Sequence, residues 1–435
     1  MSAEHAQEMV FGLGGSCADV VAYMGAYPRE DSKQLATRTE ERAGGNMVTQ
    51  VCVFAHISSL LFSLSARTPS SVFLPDASTR RRETVLISKW GSDHFGQVLS
   101  SACARFSLST VPLPAPSPPS TTGFTYILVS SAATGSDSGS DASSKSTEPT
   151  RTCIHSPGVG SLLLPSDLAH LSDRLLLLQT GAARLPLVLL DGRHADAARA
   201  LLDLLLERQL FPRVLLDCEK VRPGAEWASL LPAASVLVSS SQFPLLYSDH
   251  ISTTSSLHSK TPASISDSDS DLLSAAVQLL DVACPSAVAV IVTLGARGSL
   301  LLLRRPFNNP NDDDADPVLH SVTSLEQAPV PPSHPTGPAV APFAIADRSD
   351  ISLLRCSSWI PRGTAVVDTT GAGDAFIGAI GVALVEGLCA CRALRWASFY
   401  AGFKCVLTDV ALLPAPPADF LLGLASHCCC DGFPL

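Results

Sequence analysis

From Leu185 onward, short unbroken apolar runs alternate with stretches whose apolar residues recur every three to four positions: "LPLVLLDG", "ADAARALLDLLLERQL", "RVLLDCE", "AEWASLL", "SVLVSS" and "AVAVIVTLG". Continuous apolar strands are what a parallel sheet needs when both its faces are covered, and the helical period between them supplies the covers. The pattern predicts an α/β fold of three layers with a mostly parallel central sheet. Ligands of such sheets bind beyond the carboxyl ends of the strands. Asp191, Asp217, Ser239 and Gly295 all stand at or just after a strand end.

The N-terminal part is patterned differently. "VVAYMGAYP", "KQLATRTEERAGGN", "GFTYILVS" and "RTCIHSPG" are shorter and more polar. They predict exposed antiparallel strands, about residues 19–45 and 122–156, forming a small β-sheet lid (a β-clasp) on the edge of the main sheet. A lid that closes over a site would exclude water during group transfer.

Four segments, about 58–82, 130–150, 248–271 and 306–362, are dominated by Ser, Pro, Asp and Thr and hold no sustained period of 2 or 3.6. They read as low-complexity insertions, too poor in apolar surface to order fully. Without them roughly 300 residues remain, the size of one large α/β domain. The expected organisation is a single domain over 8–425 and a Cys-rich tail over 426–435.

Composition narrows the partners. The charged fraction, 16%, is below the roughly 25% of ordinary globular chains. A formal net charge of −10 argues against a nucleic-acid or anionic-membrane binder, which would cluster Lys and Arg. The first residues, "MSAEHAQEMVFGLGG", show no basic region leading into a long apolar one, so no secretory signal is read. No apolar run is counted as reaching the roughly 18 residues of a spanning helix. The reading is a soluble, cytoplasmic protein. The thirteen cysteines include no CxxC pair and sit mostly in apolar stretches, as buried free thiols do.

The stretch that carries chemistry is "DTTGAGDAF". A glycine-rich turn feeding an apolar helix exposes backbone N–H groups and the positive end of the helix dipole, a combination that binds anions. Asp374 falls in the first turn beside that position. On the residues alone it is either a helix-capping carboxylate or a base aimed at a hydroxyl. "GLGGSCAD" has the wrong spacing for a GxGxxG dinucleotide turn, which counts against a Rossmann oxidoreductase.

"VVDTTGAGDAFIGAI" resembles the C-terminal signature of the PfkB, or ribokinase-like, carbohydrate kinases. "AGGN" at Ala43 to Asn46 resembles the N-terminal signature, "WGSDHFG" is similar to the family's GxDxxG segment, and "VTLGARGSLLL" to its nucleotide-side strand and turn. The resemblance runs from about Phe11 to Leu413 outside the insertions. Within the family it is closest to the ketohexokinases, whose order "DVVAYMGAYPREDSKQLATRTEERAGGN", "DGRHADAARALL", "LLDCEKVRPGAEWASLL" and "WASFYAGFKC" follows.

The resemblance implies a ribokinase-like three-layer fold and an ATP-dependent sugar kinase, with a ketohexose such as fructose as acceptor. It implies Asp374 as general base and Gly371, Ala372 and Gly373 as the anion hole for the transferred phosphoryl group. Arg151 would reach nucleotide phosphates, Thr293, Gly295 and Gly298 the nucleotide, and Asp19, Gly45, Asn46 and Thr49 the sugar. ATP with Mg²⁺ is the implied cofactor pair, with room for a monovalent cation; the metal ligands are not assigned. Asp368 is either structural or close to a cation site. A homodimer through the lid is an allowed consequence of exposed strand edges. His155 and His194 are read as surface or capping residues.

Two departures from the family pattern bear on function. Thr49 stands where many relatives place a sugar-contacting Asn, and a hydroxyl cannot reproduce an amide's two-ended hydrogen bonding. The 306–362 insertion precedes the catalytic stretch on the expected adenine side. Both keep a second reading open, a catalytically weak sugar- or nucleotide-binding protein.

Overall fold

The computed structural model describes residues 8–65, 82–111, 121–130, 150–158, 162–171, 186–221, 226–253, 269–304, 321–322, 330–335, 337–346, 348–426 and 435. Most of the expected insertions 58–82, 130–150 and 248–271 and of the Cys-rich tail lies outside the described residues, whereas most of 306–362 is described.

Fifteen strands form: β1 (Glu8–Leu13), β2 (Cys17–Met24), β3 (Arg38–Gly44), β4 (Arg82–Ile87), β5 (Ser109–Thr110), β6 (Phe124–Ser130), β7 (Thr150–Ser156), β8 (Leu187–Leu190), β9 (Arg213–Cys218), β10 (Val236–Ser240), β11 (Ala289–Thr293), β12 (Ser299–Arg304), β13 (Ser321–Val322), β14 (Val340–Ile345) and β15 (Arg348–Cys356), counted among the described residues. The α-helices are α1 (Asn46–Ser65), α2 (His94–Arg105), α3 (Ala195–Glu207), α4 (Gln242–Thr253), α5 (Asp269–Gln278), α6 (Ala372–Val385), α7 (Ala390–Val406) and α8 (Ala418–Ser426).

The apolar runs become one sheet of eleven strands in the order β13-β14-β15-β12-β11-β10-β9-β8-β1-β4-β5. Strands β11 through β5 along that order pair parallel, while β12, β15 and β14 extend the sheet antiparallel. Strand β8, "LVLL", is buried on both faces, as a strand between two helical layers has to be. Helices α3, α4 and α5 pack one face with Leu201, Phe243 and Leu273, and α1, α6 and α7 pack the other with Phe54, Ile380 and Phe399. The three-layer α/β architecture expected from the sequence is the one observed.

A second sheet of four strands, β3-β2-β6-β7, stands apart from the first. It is not purely antiparallel: β2 pairs with β6 parallel, Ala18 opposite Phe124, while β2–β3 and β6–β7 are antiparallel. The chain reaches β6 through β4, α2 and β5, not through a hairpin, so nothing reverses its direction against β2.

Two further expectations need correction. Residues 348–356, read inside a low-complexity insertion, form β15, whose last six residues are buried and which pairs with β12, Leu354 opposite Leu301. Composition averaged over the long polar segment hid the short apolar run "ISLLRC". The second concerns length of apolar helix. Asn46–Leu64 has a mean hydropathy of 1.7 and is long enough to span a membrane, with half of it buried; residues 58–65 extend this helix and do not begin an insertion. Its Met47, Val51, Phe54 and Ile57 lie in the core against α6 and the sheet, and a helix covered on both sides is apolar all round for that reason. Of the cysteines, nine described ones are free thiols, seven of them buried, and Cys391 is disulfide-bonded.

Helices α1 and α6 meet closely at Gly378. A Cβ there would lie 2.6 Å from the Gln50 carbonyl oxygen and 2.9 Å from the Val53 Cβ. Gly378→Ala is expected to cost about 1–3 kcal/mol through this overpacking, read as a lower midpoint of urea unfolding; an unchanged midpoint would show that the two helices part freely.

Candidate active site

The carboxyl ends of β8, β9 and β10 and the first turn of α6 open into one cavity of about 1010 Å³, roofed by the small sheet. The loop before α6 turns through Gly371, whose φ of 78° lies in the left-handed region that side chains avoid. α6 then runs apolar from Ala375 to Val385, every residue buried. Its first turn thus projects from the core into the cavity, and Asp374 is the acidic residue of that turn. Beside it, nothing lies within 4 Å of where a Gly373 Cβ would sit. The helix start is therefore open, with room beside its backbone N–H groups, the feature by which helix N-termini bind anions.

Asp374 is not isolated. Gln50, on α1 and fully buried, donates from its Nε2 to Asp217 Oδ2 at 2.7 Å and to Asp374 Oδ1 at 3.2 Å. One amide group thus bridges two carboxylates. Burial pushes Asp374 up to about 8, with the Asp217 charge adding to the effect and Gln50 opposing it. Burial likewise pushes Asp217 up to about 7, Asp191 adding to it, Asn46 and Gln50 opposing. Removing carboxylates from water disfavours their charged form, and a second carboxylate nearby disfavours it further.

Asn46 opens α1 after Gly45, whose φ of 86° and whose 2.6 Å clearance from the Gly15 carbonyl leave no room for a side chain. The Asn46 amide donates to Asp217 Oδ2 at 3.2 Å and Glu219 Oε2 at 3.4 Å and accepts from Arg193 Nη2 at 3.2 Å. Asp191 accepts from the Gly15 N–H at 2.7 Å. The "GLGG" stretch therefore makes room for a carboxylate at the sheet edge, since a Cβ on Gly14 would lie 2.4 Å from Asp191 Cγ.

From the small sheet, Asp19 faces the same cavity. Burial raises it to about 6 against the opposing charge of Arg42, whose Nε lies 3.9 Å from Asp19 Oδ2. Arg42 also donates to Asp368 Oδ2 at 2.8 Å and to the Thr408 carbonyl at 2.7 Å. Behind the turn, Lys404 is buried and donates to the Leu407 carbonyl at 3.0 Å.

The structure brings Asp19, Gly45, Asn46, Thr49, Arg151, Thr293, Gly371, Gly373 and Asp374 to the wall of this cavity. Ala372, Gly295 and Gly298 do not line it. Gly298 closes the turn between β11 and β12, where a Cβ would meet the Cys356 carbonyl at 2.0 Å. His155 lies on the cavity wall with its Nδ1 3.0 Å from Thr125 Oγ1. His194 holds the N-terminal cap position of α3 without a capping side-chain bond; its Nδ1 accepts from the Leu163 N–H at 3.4 Å. Gln50, Arg42 and Lys404 were missed from sequence. Gln50 is adjacent to Thr49 and Arg42 adjoins "AGGN", so position next to a motif was the available signal, but neither type advertises chemistry on its own. Among the described residues no group of three His, Cys, Asp or Glu side chains could hold a metal ion.

Residues 356–412 match the pfkB family of carbohydrate kinases. No curated protein sequence matches the chain. Among solved structures, the ribokinase of Giardia lamblia superposes with a TM-score of 0.59 at 17% identity, covering 97% of this chain and 99% of that one. The Arabidopsis thaliana ribokinase complexed with ribose and ATP gives 0.52 at 16%, covering 97% and 99%, and the adenosine kinase of Sinorhizobium meliloti 0.53 at 14%, covering 97% and 99%. At these identities the likeness establishes the fold alone. The chain thus carries, over residues 356–412, a segment that matches the pfkB family of carbohydrate kinases, on a ribokinase-like fold.

Proposed function

We propose that this protein is an ATP-dependent sugar kinase that transfers the γ-phosphate to a hydroxyl of a small sugar, a ketohexose in the first instance. The observation that carries this reading is the placement of Asp374 in the first turn of α6, behind an open glycine turn and in one cavity with Asp19 and Asn46.

In this reading Asp374 accepts the proton of the sugar hydroxyl as its oxygen bonds to the γ-phosphorus, and the bond to the leaving ADP breaks. A base with a pKa near the working pH suits that task. The backbone N–H groups at the start of α6 face the charge that builds on the transferred phosphoryl oxygens. Asp19 and Asn46 orient the acceptor, and Arg151 and Thr293 stand on the nucleotide side. Mg²⁺ enters with the nucleotide phosphates, which commonly supply most of its contacts besides water, and no step is assigned to it. The exposed Tyr126 and Ile154 of the small sheet fit, in the same reading, a homodimer through the lid.

Thr49 favours keeping a second acceptor class in view, aldopentoses or nucleosides, because it offers a hydroxyl where an amide would serve a ketose. ADP release measured with Mg-ATP and fructose, ribose, adenosine or no acceptor separates them. Asp374→Asn is expected to lower acceptor-dependent release by about 10²–10⁴-fold while ATP still binds; release at the normal rate would remove Asp374 from the role of base.

The carboxylate pair also sets a pH dependence of stability. Both pKa values are raised in the folded state, to about 8 and about 7. The stability they contribute is therefore full below the ordinary aspartate range and is lost as pH rises towards 8. Asp217→Asn cannot lose it in this way. Its thermal midpoint relative to the unsubstituted protein is expected to climb between pH 5 and pH 8; a flat or falling difference would show that the pair is not strained by charge.

A further inference from the structure

Asp368 lies six residues before Asp374, with its side chain 1% exposed, and both its oxygens are engaged within the protein. Oδ1 accepts from the Thr370 N–H at 2.8 Å, which fixes the entry to the Gly371 turn. Oδ2 accepts from Arg42 Nη2 at 2.8 Å. Two carbonyl oxygens of the turn after α7 converge on the same place, and cationic nitrogens hold these as well: Arg42 Nη1 on Thr408 at 2.7 Å and Lys404 Nζ on Leu407 at 3.0 Å.

A buried carboxylate with carbonyl oxygens nearby is the kind of ligand set a monovalent cation takes when it sheds water. Here each has an N–H donor. An incoming ion would have to share oxygens already engaged by N–H donors and would meet the Arg42 guanidinium 2.8 Å from Asp368 Oδ2. The residues present therefore do not fit a monovalent cation. Burial alone would raise Asp368, but Arg42, then Lys404 and the Thr370 hydrogen bonds outweigh it and hold the carboxyl below its usual range, in keeping with the 2.8 Å contact to Arg42.

We infer that Arg42, with Lys404, takes the place of a monovalent cation beside Asp368, so that the protein neither binds K⁺ or Na⁺ there nor depends on them for turnover. Arg42 belongs to β3 of the small sheet, whereas Asp368, Thr408 and the Gly371 turn belong to the large domain. The charge that steadies the phosphate-binding turn is thus delivered by the lid and comes with the side of the site that faces the sugar. The turnover half of this inference rests on the kinase reading; the replacement of the ion rests on the contacts alone.

The test exchanges tetramethylammonium chloride for KCl or NaCl at constant ionic strength, using the full chain. It reads the thermal unfolding midpoint without ligand and ADP release with Mg-ATP and the best acceptor. The midpoint is expected to stay unchanged and release to stay within about twofold, since bulk screening is the same in every salt. Arg42→Ala, which removes the guanidinium and leaves Asp368 in place, is expected to gain a K⁺-specific rise in midpoint and a K⁺-specific recovery of release. Arg42→Gln serves the same purpose if the alanine variant does not fold. A K⁺- or Na⁺-specific rise in the unsubstituted protein overturns the inference, as does an Arg42 variant indifferent to K⁺. If no acceptor supports release in any salt, the kinase reading fails, and the unfolding midpoints still decide whether Arg42 stands in for the ion.

Discussion

The close approach of α1 to α6 at Gly378 is the constraint on which the site depends. It lets the Gln50 backbone lie against α6, and from there the Gln50 side chain reaches Asp374 on one side and Asp217 on the other. A bulkier contact would separate the helices and take the Gln50 donor from between the buried Asp217 and the half-buried Asp374. Such groups are costly to bury unpaired. The apolar packing of α1 and α6 therefore does more than fill the core: it sets the spacing of the polar network at the sheet edge.

Two aspartates of one short loop behave oppositely for identifiable reasons. Asp368 lies against Arg42, and this charge, with that of Lys404, holds its carboxyl below the usual aspartate range. Asp374 faces Asp217 and a neutral amide and is pushed towards its protonated form. The turn between them thus has a carboxyl paired with Arg42 behind it and a carboxyl pushed upward by burial and Asp217 in front of it. Raised carboxylates in a cleft are common at sites that move protons, and the separation of roles by environment is a recurring way to obtain an acid-base group from an ordinary Asp.

The small sheet contributes to both sides of this division. Asp19 enters the cavity from β2, and Arg42 on β3 ties the same sheet to the turn that precedes α6. On the large domain Asn46 is already engaged by Asp217, Glu219 and Arg193. Any group that hydrogen-bonds Asn46 would exchange partners with these residues instead of filling an empty position.

Local patterns in the chain were enough to specify the three-layer sheet, because strands buried on both faces and helices buried on one leave different periods in the sequence. The same holds for the glycine turn and Asp374, which were legible as a turn feeding an apolar helix with an acid in its first turn. What the sequence alone could not show were relations between distant segments: β6 running parallel to β2, the buried β15 inside a polar stretch, and Gln50 and Arg42 set against carboxylates more than 160 residues away. Gln and Arg are ordinary surface residues until packing places them beside a buried charge. Charge partnership is a property of the folded distance, which no window along the chain contains, and it is the tertiary structure that decided which aspartate keeps its proton and which cation answers Asp368.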